Sequence, residues 1–170
     1  MKKTITLLLS IALTSGFAQK CKYDVETTDA FTGKKTVGIS AKLPKGALIG
    51  FNLASDKYWV GLYIEFFGEK NEKIAMGDSL LLRLGNGEII TLYTNQESAP
   101  TSYIVGQGTA YANVKSYYKP DYNTDAATLT KISLNPVTDL KFYMGINNLA
   151  ISVDEKFREK IMKAAGCIIK

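Results

Sequence analysis

Leu80-Leu81-Leu82-Arg83-Leu84-Gly85-Asn86-Gly87-Glu88-Ile89-Ile90-Thr91-Leu92-Tyr93-Thr94 is the stretch on which the reading of the fold turns. Two apolar-rich runs of strand length, Leu80 to Leu84 and Glu88 to Thr94, flank Gly85-Asn86-Gly87. Asn-Gly accepts the positive φ angles that a tight type I′ turn requires. The stretch predicts an antiparallel hairpin with Asn86 and Gly87 at the turn centre and Gly85 opposite Glu88.

The same grammar extends outward in both directions. Ala47 to Leu53 and Lys57 to Phe67 read as two strands joined around Ser55-Asp56. Side chains alternate across a strand, so Tyr58, Val60, Leu62, Ile64 and Phe66 share one face. Trp59, Tyr63, Glu65 and Phe67 share the other, with Gly61 between them. That second face is expected under the terminal helix or in a sandwich core. Thr36 to Leu43 alternates and stops at Pro44. Tyr103 to Tyr118 reads as one further alternating segment, with small residues such as Gly106, Gly108 and Ala110 on one parity. Short apolar runs broken by Gly, Asn, Asp and Pro, with no internal repeat, are the pattern of an all-β chain.

Past Pro120 the period changes. Asp125 to Leu134 predicts a short helix capped by Asn123 or Thr124, with Leu129 and Ile132 on one face. Asn135-Pro136 ends it. Leu140 to Ile146 and Leu149 to Val153 follow as strands around an Asn147-Asn148 turn. A closing helix over about 154–166 carries Phe157, Ile161, Ala164 and Ala165 at helical spacing. Gly166 suits the position just after its end, with Cys167 beyond.

The chain opens with Met1-Lys2-Lys3, an apolar run from Ile5 to Leu13, and Ser15-Gly16-Phe17-Ala18. This is the layout of a secretory signal peptide over residues 1–18, cleaved between Ala18 and Gln19. It places the protein outside the cytoplasm, in a periplasmic or secreted location. Residues 19–170 then form a single domain. Lys20 before Cys21 is a poor fit to a lipidation motif. Two cysteines in an exported chain pair as a structural disulfide, here Cys21 with Cys167. No segment of the mature chain has the 18 apolar residues of a membrane span.

Losing Lys2 and Lys3 with the leader takes two from 21 basic residues against 16 acidic, leaving a mild charge of +3. No Lys/Arg cluster is present, which argues against nucleic acid as a partner. Histidine is absent. That removes histidine general-base chemistry, nucleophilic triads built on histidine, and every His-containing zinc site.

The remaining candidates are few. Asp121-x-Asn123-x-Asp125 resembles the start of a calcium loop, but Ala126 and Ile132 stand where Gly and Glu are needed. A turn leading into a helix cap accounts for it, and no metal or cofactor is expected. Tyr117-Tyr118-Lys119-Pro120-Asp121-Tyr122 places three tyrosines around a proline. Tyrosine gives stiff, amphipathic contact surface suited to protein or glycan. Tyr117, Tyr118 and Tyr122 are therefore the candidate ligand-binding residues, with Tyr103 and Tyr111 as neighbours. Glu65, Asp78 and Glu88 are the carboxylates from which a glycosidase-like pair could be drawn. Gly106-Gln107-Gly108 is too short to carry nucleotide binding.

Several short motifs recur in one order: Cys21-Lys22-Tyr23-Asp24, Asp29-Ala30-Phe31-Thr32-Gly33-Lys34, Asp78-Ser79-Leu80, Leu129 to Val137 leading into Asp139-Leu140-Lys141, and a closing helix ending at Cys167. The chain resembles a loose group of small exported bacterial proteins without assigned function, departing from it at Lys141-Phe142. The resemblance implies a β-sandwich-like fold and a terminal disulfide, and no activity.

The expectation is an all-β or β-rich α+β protein: an antiparallel β-sandwich-like domain with one short and one C-terminal helix, a partly closed barrel being the nearest alternative. The expected function is an exported, non-catalytic binding or structural module. The alternatives are a carboxylate-dependent hydrolase and an inhibitor or partner of another exported protein, which an exposed sheet edge would favour.

Overall fold

The computed structural model describes residues 21–106 and 113–169. The leader at 1–18, Tyr111 and the Gln107-Gly108 pair lie outside the described residues. Eleven strands are seen in them: β1 (Val25–Thr28), β2 (Lys35–Lys42), β3 (Leu48–Ala54), β4 (Lys57–Phe67), β5 (Ser79–Leu84), β6 (Ile89–Tyr93), β7 (Thr101–Val105), β8 (Asn113–Tyr118), β9 (Asp121–Thr124), β10 (Val137–Met144) and β11 (Asn147–Ser152). The helices are α1 (Ala126–Leu134) and α2 (Glu155–Ile168).

A large antiparallel sheet runs β1-β2-β3-β4-β8-β7, with β9 also paired to β4, and a smaller one runs β11-β10-β5-β6. The architecture is β-rich and sandwich-like with a C-terminal helix, as expected. Alternation decides which side chains go in. Val60, Leu62 and Ile64 of β4, Ile49 and Phe51 of β3, Leu80 and Leu82 of β5, Ile90 and Leu92 of β6, and Leu140 and Phe142 of β10 all enter one core. Helix α2 lies on β2, β3 and β10 and packs against α1. Its Ile161, Ala164, Ala165 and Ile168 are buried, as are Leu129 and Ile132 of α1. Cys21 and Cys167 form the expected disulfide, with Cα atoms 5.7 Å apart. The Tyr23 hydroxyl donates to the Cys167 carbonyl at 3.0 Å beside it.

Four local expectations are corrected. The Gly85-Asn86-Gly87 turn is a three-residue loop, because Leu84 rather than Gly85 pairs with Glu88: the Gly87 N–H donates to the Leu84 carbonyl, and the Leu84 N–H to Glu88. Asn86 keeps negative φ and only Gly87 is left-handed, at φ 87°. That is a type I turn closed by a glycine bulge. A hairpin link of two consecutive left-handed residues joins β3 to β4 instead, at Ser55 and Asp56, φ 49° and 64°. Gly85 answers to something the hairpin does not contain. A Cβ there would lie 2.9 Å from Cγ of Pro136, whose carbonyl accepts the Gly85 N–H at 2.7 Å.

The second hairpin turns at Gly145-Ile146, since Met144 pairs with Asn147. Asp125, one residue later than expected, caps α1 by accepting the Thr128 N–H at 2.7 Å. Helix α2 runs through Gly166 and Cys167 to Ile168. At Gly166 α1 crosses close by: a Cβ at this position would come into contact with Ser133 Cβ at 3.4 Å.

Candidate functional site

The segment 113–124 positions the candidate site. Its expected continuous strand from Tyr103 is in fact two strands, β7 and β8, in antiparallel pairing. Its expected tyrosine loop is in fact strand. Ile64 pairs with Tyr118 and Gly61 with Asp121, so β8 and β9 keep one register along β4. Pro120 interrupts the ladder only because it has no N–H to donate; its carbonyl still accepts from Leu62 at 3.0 Å.

Continuous register forces adjacent tyrosines to opposite faces. Tyr118 is 1% exposed and Tyr122 fully buried, and both belong to the core. Tyr118 donates to the Glu72 carbonyl at 2.8 Å and stacks edge-on with Phe66. The three-tyrosine contact surface is thus corrected: Tyr118 and Tyr122 cannot present a ring to a ligand, and Tyr117 alone of the three reaches solvent. The outer face of β4 is corrected too. Trp59, Tyr63 and Glu65 are half-buried, and Phe67 stands 78% exposed, because α2 covers other strands.

Tyr117 finds different companions on that outer face. Its ring centroid is 5.5 Å from that of Tyr63 on β4 and 6.0 Å from that of Tyr103 on β7. Glu65 sits at the hub. Oε1 accepts from the Tyr63 and Tyr103 hydroxyls, each at 2.6 Å, and Oε2 from Lys115 Nζ at 3.1 Å. The Lys119 ammonium lies 4.9 Å from the Tyr117 ring centre and 5.6 Å from that of Tyr63. Charge-assisted hydrogen bonds of this kind are short and directional, and they fix two rings that would otherwise rotate freely.

The electrostatics follow from the hub. Bonds from Tyr103, then Tyr63, then Lys115 hold the Glu65 carboxyl well below the usual range, down to about 2. The same bond pushes Tyr63 up to about 12, and Tyr103 upward. The three donors thus favour the ionised, accepting form of Glu65.

The three candidate hydrolytic carboxylates are not brought together. Glu65 serves the tyrosine hub. Asp78 accepts from the Ala75 and Gly145 N–H groups. Glu88 pairs with Lys131 of α1 at 2.7 Å. Of the calcium-loop pattern, Asp121 and Asn123 lie on β9 while Asp125 is spent on the helix cap, the Thr128 N–H holding its carboxyl below the usual range. Among the described residues no three His, Cys, Asp or Glu side chains converge as a metal site. No helix among them is long and apolar enough to cross a membrane.

Sequence reasoning missed Tyr63, Lys115 and Lys119 as parts of one surface. The signal was present: Lys115, Tyr117, Lys119, Asp121 and Asn123 form one unbroken polar parity. Reading Pro120 as the end of a strand hid it. No protein-family model, curated protein or solved structure matches the chain.

Proposed function

We propose that this chain is an exported, non-catalytic binding module whose contact surface is the outer face of the large sheet around Glu65. The observation that carries the reading is the tyrosine hub. Tyr63, Tyr103 and Tyr117 present amphipathic rings at a solvent face, held in place by one ionised carboxylate and two lysines. A rigid aromatic surface loses little conformational entropy on binding, which is how contact surfaces gain affinity. A carboxylate held well below its usual range by those bonds does the fixing. The leader-like N-terminus and the Cys21–Cys167 bridge agree with export.

The test uses the mature domain, residues 19–170, as bait for envelope and culture-medium fractions. Retention by the native domain should be lost in a Tyr103→Ala/Tyr117→Ala variant of unchanged circular dichroism. Equal retention by that variant sinks the reading. Export is checked separately, by N-terminal sequencing of the protein from envelope and medium, with Gln19 expected first.

A second reading, strand addition, rests on β7. All five of its residues are exposed, and it ends the large sheet. Thr101-Ser102-Tyr103-Ile104-Val105 has none of the charges or prolines that usually blunt an edge. An inhibitor or partner role would use this edge for backbone pairing. Ile104→Lys should then abolish capture of a protein partner while Tyr117→Ala leaves it intact.

A further inference from the structure

The outer face of the large sheet continues beyond the tyrosine hub into a trough built from the strand register. Gly50 of β3 pairs with Gly61 of β4, and Gly61 with Asp121 of β9. The row on one side is Gly38, Asn52, Trp59 and Asn123; the row on the other contains Leu48 and Tyr63. Two facing glycines thus form a floor without side chains, between Trp59 and Tyr63. These rings stand four residues apart on one strand, a span of about 13 Å. Both are half-buried.

Two polar groups overlook the floor. Asn52 Nδ2 lies 3.6 Å from where a Gly50 Cβ would sit, and 3.8 Å from that of Gly61. Asp121 Oδ1 lies 3.0 Å from the Gly61 position. Neither side chain makes a hydrogen bond or ion pair with any other described residue. Burial raises the Asp121 carboxyl above its usual range, and no cation offsets it. The trough therefore offers one free donor, one free acceptor and two aromatic walls.

The geometry points to a neutral oligosaccharide as the occupant of this trough, which we propose as a glycan subsite adjoining the tyrosine hub. A sugar ring offers an apolar C–H face to an aromatic wall, and its hydroxyls can donate to Asp121 while accepting from Asn52. Vicinal hydroxyls match a donor and an acceptor set over one floor. An anionic glycan is disfavoured because its carboxylates would face Asp121. This inference rests on the binding-module reading and names the ligand class of the same face.

Trp59 is the single tryptophan of the chain and lies in the trough wall, so it reports occupancy directly. The mature domain is titrated with cellohexaose, xylohexaose, maltohexaose and chitohexaose, with a polygalacturonate hexamer as anionic control, and Trp59 emission is followed. At least one neutral hexamer should shift the emission saturably, and the anionic one should not. Gly50→Val should weaken that binding by about tenfold or more. Its Cβ meets ordinary contact distances and a β-branched residue suits a strand, and unchanged circular dichroism of the variant is required before its affinity is read. Asn52→Ala and Asp121→Ala, which remove the free groups without filling the floor, provide a second route to the same loss. No saturable shift with any neutral hexamer overturns the proposal, as does unchanged affinity in all three variants. If a protein partner is still captured through Tyr103 and Tyr117 in that event, the binding-module reading survives and only the glycan assignment falls.

Discussion

Replacing Cys21 and Cys167 together by serine removes the covalent tie between the first described residue and the last turn of α2. The magnitude follows from the loop it closes. A sequence separation of 146 corresponds, in the chain-entropy model, to about 5 kcal/mol taken from the unfolded ensemble. The folded state loses less, because Tyr23 still donates to the Cys167 carbonyl and Ile168 stays buried. The expected destabilisation is about 2–5 kcal/mol, the range for native bridges in small exported domains. A domain of this size is stable by only about 5–15 kcal/mol, so the change takes away a large share of its stability. Urea unfolding followed by circular dichroism reads it: with a slope near 2 kcal/mol/M, the midpoint falls by about 1–2.5 M. Hydrogen exchange should show the backbone of Gly166 to Ile168 losing protection first. Two results refute the reasoning. An intact mass showing two alkylatable thiols in the exported protein removes the bridge itself. An unchanged midpoint in the double-serine variant, with the bridge present in the native protein, removes the entropic argument.

Three further predictions concern the turn, the sheet and the hub. Gly85→Ala should cost about 1–3 kcal/mol by thermal or urea unfolding, since its Cβ would sit 2.9 Å from Pro136. Gly87→Ala, strained by φ 87° but open in space, should cost about 1 kcal/mol, and the reverse ranking would contradict the packing argument. Ser116 is fully buried, donates to the Gly68 carbonyl at 2.9 Å and accepts the Lys70 N–H at 3.0 Å. Ser116→Ala should cost about 1–3 kcal/mol and loosen residues 68–70 in hydrogen exchange; a neutral effect would mean those groups find other partners. Glu65 has its folded pKa depressed to about 2, so the stability it contributes is present above about pH 4.5 and lost as pH falls through about 2. Glu65→Gln should flatten that acid limb of the stability profile, and an unaltered limb would show that the hub does not hold the carboxylate as described.

How much of this was legible depended on the range of the interaction. The grouping of Tyr58, Val60, Leu62, Ile64 and Phe66 on one face was readable because alternation is a property of the strand backbone. So was the two-residue link at Ser55-Asp56 between β3 and β4. The destination of the opposite face was not readable. Tyrosine and tryptophan suit a core and a solvent face equally, and only the placement of α2 on β2, β3 and β10 left Trp59, Tyr63 and Glu65 uncovered. Tyr117, Tyr118 and Tyr122 were read together because Pro120 looked like a break. A proline that loses only its own donor does not end a register that β4 enforces, and strict alternation then separates the three.

The sequence by itself determined the alternation along the strands it showed, the β3–β4, β5–β6 and β10–β11 hairpins, the two helical stretches and the pair of cysteines available for the bridge. These depend on residues a few positions apart, or, for the cysteines, on there being only two. Tertiary structure decided which face of the large sheet stays open, which tyrosines surround Glu65, why Gly85 must be small, and what Gly166 packs against. It also aligned Gly50, Gly61 and Asp121 into one row. Each of these is set by a neighbour distant in the chain: Pro136 for Gly85, Ser133 for Gly166, Tyr103 and Lys115 for Glu65. No local pattern encodes such a neighbour, because it is chosen by the packing of whole elements that minimises exposed apolar surface.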